Sequence, residues 1–360
     1  MKVFLISVLS TLSIHFGFAA EPVRSPFAYV TNKFAQTVSG YRIDGKTGAL
    51  IAVPGSPFRT GIGPAAVAVD AESRFAFVVN FIDNTVSGYR IDQNTGSLTP
   101  IPGSPFVTGS SPASVVSAPT APFVYIASFD DNAISVYRID DKTGALTLAS
   151  GTSCPTGNGP SSLAIDATAR FAYVANFLDD TVSGFKIDPL TRGLAPMPGS
   201  PFATGSGPQS VAVDSTGQFI YVVGFSGKTV SSFRVDRKTD VLTPILDQST
   251  ATGNNPRSVT VDSAAQFAYV VNNGDNTVSG YSISQDTGTL APVPGSPFGT
   301  RTSPVAVAID PSGEFVYVAN SGDNTVSGYQ IDHKTGALIT LPGSPFQADD
   351  GPVAIAITRN

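Results

Sequence analysis

Few side chains in this 360-residue sequence are suited to moving protons or attacking a carbonyl, and they are scattered. The two histidines are His15 and His333, the one cysteine is Cys154, and the glutamates are Glu21, Glu72 and Glu314. General acid–base catalysis needs such groups paired within hydrogen-bond reach, and no motif here pairs a histidine with a glutamate. A nucleophilic cysteine needs an electropositive, partly exposed setting, whereas Cys154 occupies the position that Phe58 and Phe106 hold in the two preceding copies. Asp179-Asp180 and Asp349-Asp350 are acidic pairs without the spaced oxygen ligands of a cation loop. No metal site and no cofactor is therefore read. Arg257 stands out because a guanidinium fork can clamp a carboxylate or phosphate. Its plainer reading is a solubilising surface charge.

The elements that would position these residues are repeats. The string Phe-Ala-Tyr-Val-Thr-Asn at 27–32 recurs in variant form every 48 residues, starting at Phe27, Phe75, Phe123, Phe171, Phe219, Phe267 and Phe315. A fixed period of this length marks a solenoid, a propeller or an array. Each copy holds short alternating runs rich in Val, Ile, Tyr and Phe, bounded by Gly, Asp, Asn and Pro, which is the strand-and-hairpin pattern. Four antiparallel strands per copy, seven times over, predict an all-β, seven-bladed propeller in a single domain spanning 20–360. The first copy lacks the Pro-x-x-Val-Ala-Val strand that opens the others. That strand appears instead at Pro352–Thr358, so the C-terminus is expected to close the ring by joining the blade that begins at Phe27. Phe58, Phe106, Phe202, Phe298 and Phe346, with the aromatics of the second strand, are expected to pack between blades. Each contributes on the order of 1.5–3 kcal/mol.

In so regular a chain, a site should appear where the copies differ on the face at which loops converge. Just after the proline opening the first strand lie Ala65-Ala66, Ala113-Ser114, Ser161-Ser162, Gln209-Ser210, Arg257-Ser258, Val305-Ala306 and Val353-Ala354. The polar members form one arc, in which Arg257 is the only charge. The second strand ends in Asn32, Asn80, Ser128, Asn176, Gly224, Asn272 and Asn320, read chiefly as turn-closing residues bonding their own backbone. The next position holds Phe81, Phe129, Phe177 and Phe225 in four consecutive copies. This aromatic arc either stacks on a ligand or packs between blades. Copies three and five also lose the Pro-Gly-Ser-Pro-Phe segment. The ligand-binding candidates are Arg257, Ser258, Gln209, Ser210, Phe81, Phe129, Phe177 and Phe225, with Arg257 the weak catalytic candidate.

Composition narrows the partners. Net charge is −6, charged residues make up 13% of the chain and tryptophan is absent. No basic stripe suited to nucleic acid is visible. A short positive start, an apolar run over 3–18 and small residues near 19 read as a cleaved secretory signal over 1–19. Its removal leaves no stable membrane span, and the expected location is periplasmic, secreted or at the cell surface. A single cysteine excludes an intramolecular disulfide.

Tyr29-Val30-Thr31-Asn32, its variants Tyr173–Asn176 and Tyr317–Asn320, and Asp-Asn-Thr-Val-Ser-Gly-Tyr at Asp275–Tyr281 and Asp323–Tyr329 resemble the repeats of bacterial lactonase-like seven-bladed propellers. That group includes 6-phosphogluconolactonases and carboxymuconate cyclases, and the resemblance covers 22–360. It implies a lactone bound at the channel mouth, with His, Arg and Glu performing acid–base and oxyanion work. This chain departs from that set, since His333 sits in a variable turn and Glu72 and Glu314 sit in turns, so no catalytic residue carries over. The leading expectation is therefore a binding module for a protein or carbohydrate at the upper face. The alternative is a lactone hydrolase using Arg257 and a carboxylate such as Asp350. A third is a structural cell-surface component.

Overall fold

The computed structural model describes residues 25–245 and 249–359, and for 150–152 the backbone alone. The expected signal segment lies outside the described residues. The described residues form seven small antiparallel sheets with no helix. One blade defines all: an innermost strand Pro64–Val69, a second strand Phe75–Asn80, a third strand Thr85–Ile91 and an outer strand Leu98–Pro100.

Burial explains the composition of each strand. The second strand is sandwiched between neighbouring blades, so both faces are buried and Phe-Ala-Phe-Val-Val-Asn carries no solvent-facing residue. Each hydrophobic cluster joins two consecutive blades, as where Phe75, Phe77 and Val79 meet Val115, Val124 and Ile126. The Phe58, Phe106, Phe202, Phe298 and Phe346 rings are half-buried against these clusters. Tyrosines tie blades together at both ends. Tyr269 Oη donates to Gly336 O at 2.9 Å in the following blade, and Tyr281 Oη donates to Ala251 O at 2.7 Å in the preceding one.

The fourth strand differs from expectation. In most blades it is two short pieces, such as Leu50–Ala52 and Phe58–Arg59, both pairing with the third strand. The intervening prolines supply no N–H for a ladder. In the third blade, which lacks that segment, one continuous strand runs Leu146–Pro155. The ring closes as expected. The C-terminal strand Pro352–Ile357 pairs antiparallel with Phe27–Asn32. Thr358 just beyond it locks the seam, its N–H donating to Phe27 O at 2.8 Å and its Oγ1 accepting from Phe27 N at 2.7 Å. Because strands alternate in direction, turns between strands one and two and between three and four share the lower face. The remaining connections share the upper face.

Candidate functional site

Every innermost strand begins with an irregularity. After Pro64 the register with the second strand slips by one, leaving Ala65 unpaired before Ala66 meets Val79. The same bulge frees Ala113, Ser161, Gln209, Arg257, Val305 and Val353. A bulged residue leaves the ladder and its side chain is re-aimed. Here all seven border a cavity of about 480 Å³ where the seven innermost strands converge on the axis. The bulge has no separate signature in sequence beyond the proline preceding it.

Arg257 is the bulged residue of the sixth blade. Its guanidinium lies 5.0 Å from the ring centroid of Phe225, from the preceding blade, so a cation–π contact fixes the plane of the fork. No carboxylate pairs with it among the described residues, and its Nε is buried without a hydrogen-bond partner. Partial burial alone pushes its pKa down from the usual range, yet an arginine remains charged at neutral pH. The cavity also borders exposed Lys33 and is lined by no Asp, Glu or His. An uncompensated cation in a half-enclosed cavity favours an anion or a strongly polarised carbonyl oxygen.

The other sequence candidates divide. Gln209 contributes a half-buried amide to the lining. Ser210 and Ser258 also line the cavity, but their hydroxyls accept from the innermost strand of the next blade, at 3.2 Å from Val259 N and 3.4 Å from Val307 N. Ser114 and Ser162 do the same for Leu163 N and Val211 N, at 3.1 and 3.2 Å. The polar arc is thus in good part a blade-to-blade staple, a role the sequence reading did not anticipate. Phe81, Phe129 and Phe177 line the cavity, and Phe81 and Phe129 meet at 6.4 Å between centroids. Phe225 lies beneath Arg257 instead of on the lining.

The asparagine ring closes its turns mainly through side chains instead of its own backbone, although Asn320 Nδ2 also donates to a carbonyl of its own turn, Thr325 O at 3.4 Å. Asn80 is fully buried, and its Nδ2 donates across the turn to Thr85 Oγ1 and Ser87 Oγ at 3.0 and 2.9 Å, a pattern repeated at Asn32, Asn176, Asn272 and Asn320. The acidic pairs are occupied too. Asp179 Oδ2 accepts from Asn158 N, and Asp180 Oδ1 accepts from Gly207 N at 2.7 Å. Asp349 Oδ2 accepts from Thr37 Oγ1 at 2.9 Å, and exposed Asp350 does not line the cavity. The lactone-hydrolase alternative therefore loses the carboxylate it invoked.

Two reactive groups sit elsewhere. Cys154 pairs with Ile134 in the register at which Phe58 pairs with Val38, confirming its apolar position. Burial pushes its thiol pKa up, away from nucleophilicity. His333 and Glu314 do meet, with Nε2 3.0 Å from Oε1. The two lie in lower-face turns on the third-to-fourth and first-to-second connections. Sequence separation hid this pair, because only the lower face brings the two turns together. Its side chains are about half exposed and remote from the axial cavity, so it does not complete an acid–base site there.

The whole-chain comparisons agree with this architecture. A family model described as lactonase, 7-bladed beta-propeller matches residues 23–201 and 191–351. No curated protein matches the sequence. Among solved structures, a candidate 6-phosphogluconolactonase of Bacteroides fragilis superposes with a TM-score of 0.81 at 18% identity, covering 94% of this chain and 99% of its own. A periplasmic gluconolactonase of Pseudomonas aeruginosa gives a TM-score of 0.76 at 18% identity, covering 93% and 99%. The hydrazine synthase of Kuenenia stuttgartiensis also superposes, at 0.62 and 15% identity over 88% of this chain and 99% of that one. Neighbours this distant share the wheel and not necessarily its chemistry. The family match spans nearly the entire described ring, and on that ground the chain belongs to the lactonase family of seven-bladed β-propellers.

Proposed function

We propose that the protein hydrolyses a lactone in its axial cavity, with Arg257 as the electrophilic group. The observation carrying this reading is the half-buried, unpaired guanidinium held on Phe225 at the axis. Family membership supports the same reading. Hydroxide from solvent attacks the ring carbonyl carbon as the carbonyl π pair moves onto oxygen. Arg257 donates to that oxyanion, whose charge is larger than the ground-state carbonyl's, so the interaction favours the transition state. Collapse re-forms the carbonyl and breaks the ring C–O bond. The leaving alkoxide takes up the proton of the newly formed carboxylic acid, and the product carboxylate stays paired with Arg257 until it dissociates.

With no His, Asp or Glu on the lining, the nucleophile is hydroxide from solvent. The logarithm of the enzymatic rate should then rise by about one per pH unit across neutrality. A bell-shaped or sigmoidal profile would overturn this mechanism by revealing a protein base. Arg257→Ala should lower kcat/KM on a lactone panel by roughly 10- to 100-fold, the span set by losing a charged hydrogen bond. Its melting temperature should stay unchanged, and Arg257→Lys should recover little of the fork's bidentate geometry. Full activity in Arg257→Ala would refute the assignment.

The same missing base favours a second reading, in which the cavity retains an anion without turning it over. The upper face then acts as a binding module for a carbohydrate acid or a protein carboxylate. Anion binding that depends on Arg257, without hydrolysis of any lactone, would establish it. Export through the N-terminal segment accords with either reading and with an extracytoplasmic substrate.

A further inference from the structure

We infer that the ligand of this cavity is amphipathic, with one carboxylate or lactone carbonyl on an apolar ring or short alkyl body, and is not a polyol. The inference deepens the lactone reading and rests on the same cavity. A polyhydroxylated ligand needs an array of side-chain donors and acceptors, because each hydroxyl taken from water without a partner weakens binding. The oxygens of the polar-arc hydroxyls are largely engaged, which pins these side chains between blades and leaves at most one O–H donor on each. Those of Ser114, Ser162, Ser210 and Ser258 accept strand N–H groups, and Ser161 Oγ donates to Pro208 O at 2.9 Å. That leaves the Arg257 fork and the Gln209 amide, side by side in adjacent blades, as the principal side-chain groups of the arc aimed at a ligand, with the exposed Lys33 ammonium at the cavity's border. They match the two oxygens of one carboxylate and little more.

The rest of the wall is built for apolar contact. Opposite the arc, the bulge residues are Val305, Val353 and Ala65. The aromatic side continues upward out of the cavity. Phe129 and Leu178 both crowd the same point beside Gly159, so the cavity lining runs without a break into a rim residue that is 62% exposed. Ile82, 61% exposed, follows Phe81 in the turn one blade away from Phe129. Isolated exposed aliphatic residues are ordinary, but these adjoin ring faces that already line a concave site. A cavity of about 480 Å³ has room for a ligand of one or two rings.

The test compares two six-membered lactones, dihydrocoumarin and glucono-δ-lactone, on the full chain against buffer blanks. Binding of their ring-opened acids, 3-(2-hydroxyphenyl)propanoate and gluconate, is measured in parallel by calorimetry. The expected result is a kcat/KM at least tenfold higher for dihydrocoumarin, reduced at least fivefold by Phe129→Ser with the melting temperature held. An equal or greater rate with glucono-δ-lactone overturns the inference and leaves lactone hydrolysis standing. If neither lactone turns over but the aryl acid binds at least tenfold tighter than gluconate, in an Arg257-dependent manner, the ligand class stands and hydrolysis falls. If neither acid binds and neither lactone is hydrolysed, both fall. Should Phe129→Ser not fold, Leu178→Asp on the exposed rim gives the same readout.

Discussion

At the level of single residues, a repeat protein supplies its own controls. The second-strand tyrosine donates to a carbonyl of the next blade at Tyr29, Tyr125, Tyr221, Tyr269 and Tyr317, and burial raises the pKa of each phenol. Phe77 holds the position in the second blade, so the hydroxyl is not obligatory for packing. Tyr173 keeps the ring, but its hydroxyl is buried without a partner. There the next blade presents Asp240, at a position that is Arg192 in the blade before it and glycine in the rest, and that carboxylate binds Lys186 at 2.6 Å and Arg170 at 3.8 Å. An unmade buried hydrogen bond costs about 1–3 kcal/mol and a made one contributes about 1 kcal/mol. Tyr269→Phe should therefore lose about 1–2 kcal/mol in denaturant unfolding, while Tyr173→Phe should be neutral or stabilising. Equal losses at the two positions would contradict the assigned hydrogen bonds. The same logic separates Ser258 from Arg257: both were candidates by position, but one hydroxyl is spent on a neighbouring strand and the guanidinium is not.

At the scale of elements, turns do most of the positioning, and carboxylates hold them. In the lower-face turn between strands three and four, Asp44 Oδ1 accepts from Thr47 N and Lys46 N at 3.0 and 3.1 Å. Hydrogen bonds led by Thr47 hold its pKa below the ordinary carboxylate value. The counterparts Asp92, Asp140, Asp188, Asp236 and Asp332 are lowered in the same way by their own turn N–H groups. A pKa lower in the folded than in the unfolded chain means stability that is fully present above the unfolded value, about 4, and is lost as pH falls through the folded values. Asp332→Asn should accordingly lower the melting temperature at pH 7, and the two curves should converge as pH falls below the ordinary carboxylate value and through the lowered folded one. Parallel curves would show that the charge is irrelevant. The sequence already marked these Asp-x-x-Thr stretches, most of them followed by Gly, as turns. It did not reveal the bulge at each innermost strand, because a bulge is a mismatch between two strands and is invisible in either one.

On the scale of the molecule, the wheel is held by closure. The strand Pro352–Ile357 supplies the innermost strand of the blade begun at Phe27, some 325 residues earlier in the chain. Removing everything after Gly351 would uncover the edge of Phe27–Asn32, a fully buried apolar strand, and expose it to intermolecular pairing. The truncated protein should lose its cooperative melt or self-associate in light scattering. A monomer with an unchanged melting temperature would show that the remaining blades close without the seam. The chain by itself determined the number of blades, the split blade at its termini and the inter-blade position of Cys154, because strict 48-residue register and apolar alternation are local properties that survive in one dimension. Only the tertiary structure decided which of the marked residues face a ligand. Arg257 comes from one blade and Phe225 and Gln209 from the blade before it, and their relation depends on bulge geometry and on ring curvature. The serine staples exist only once consecutive blades have been set side by side, and the His333–Glu314 contact only once two turns of one blade have been folded onto the same face, since neither partner's sequence surroundings encode the other.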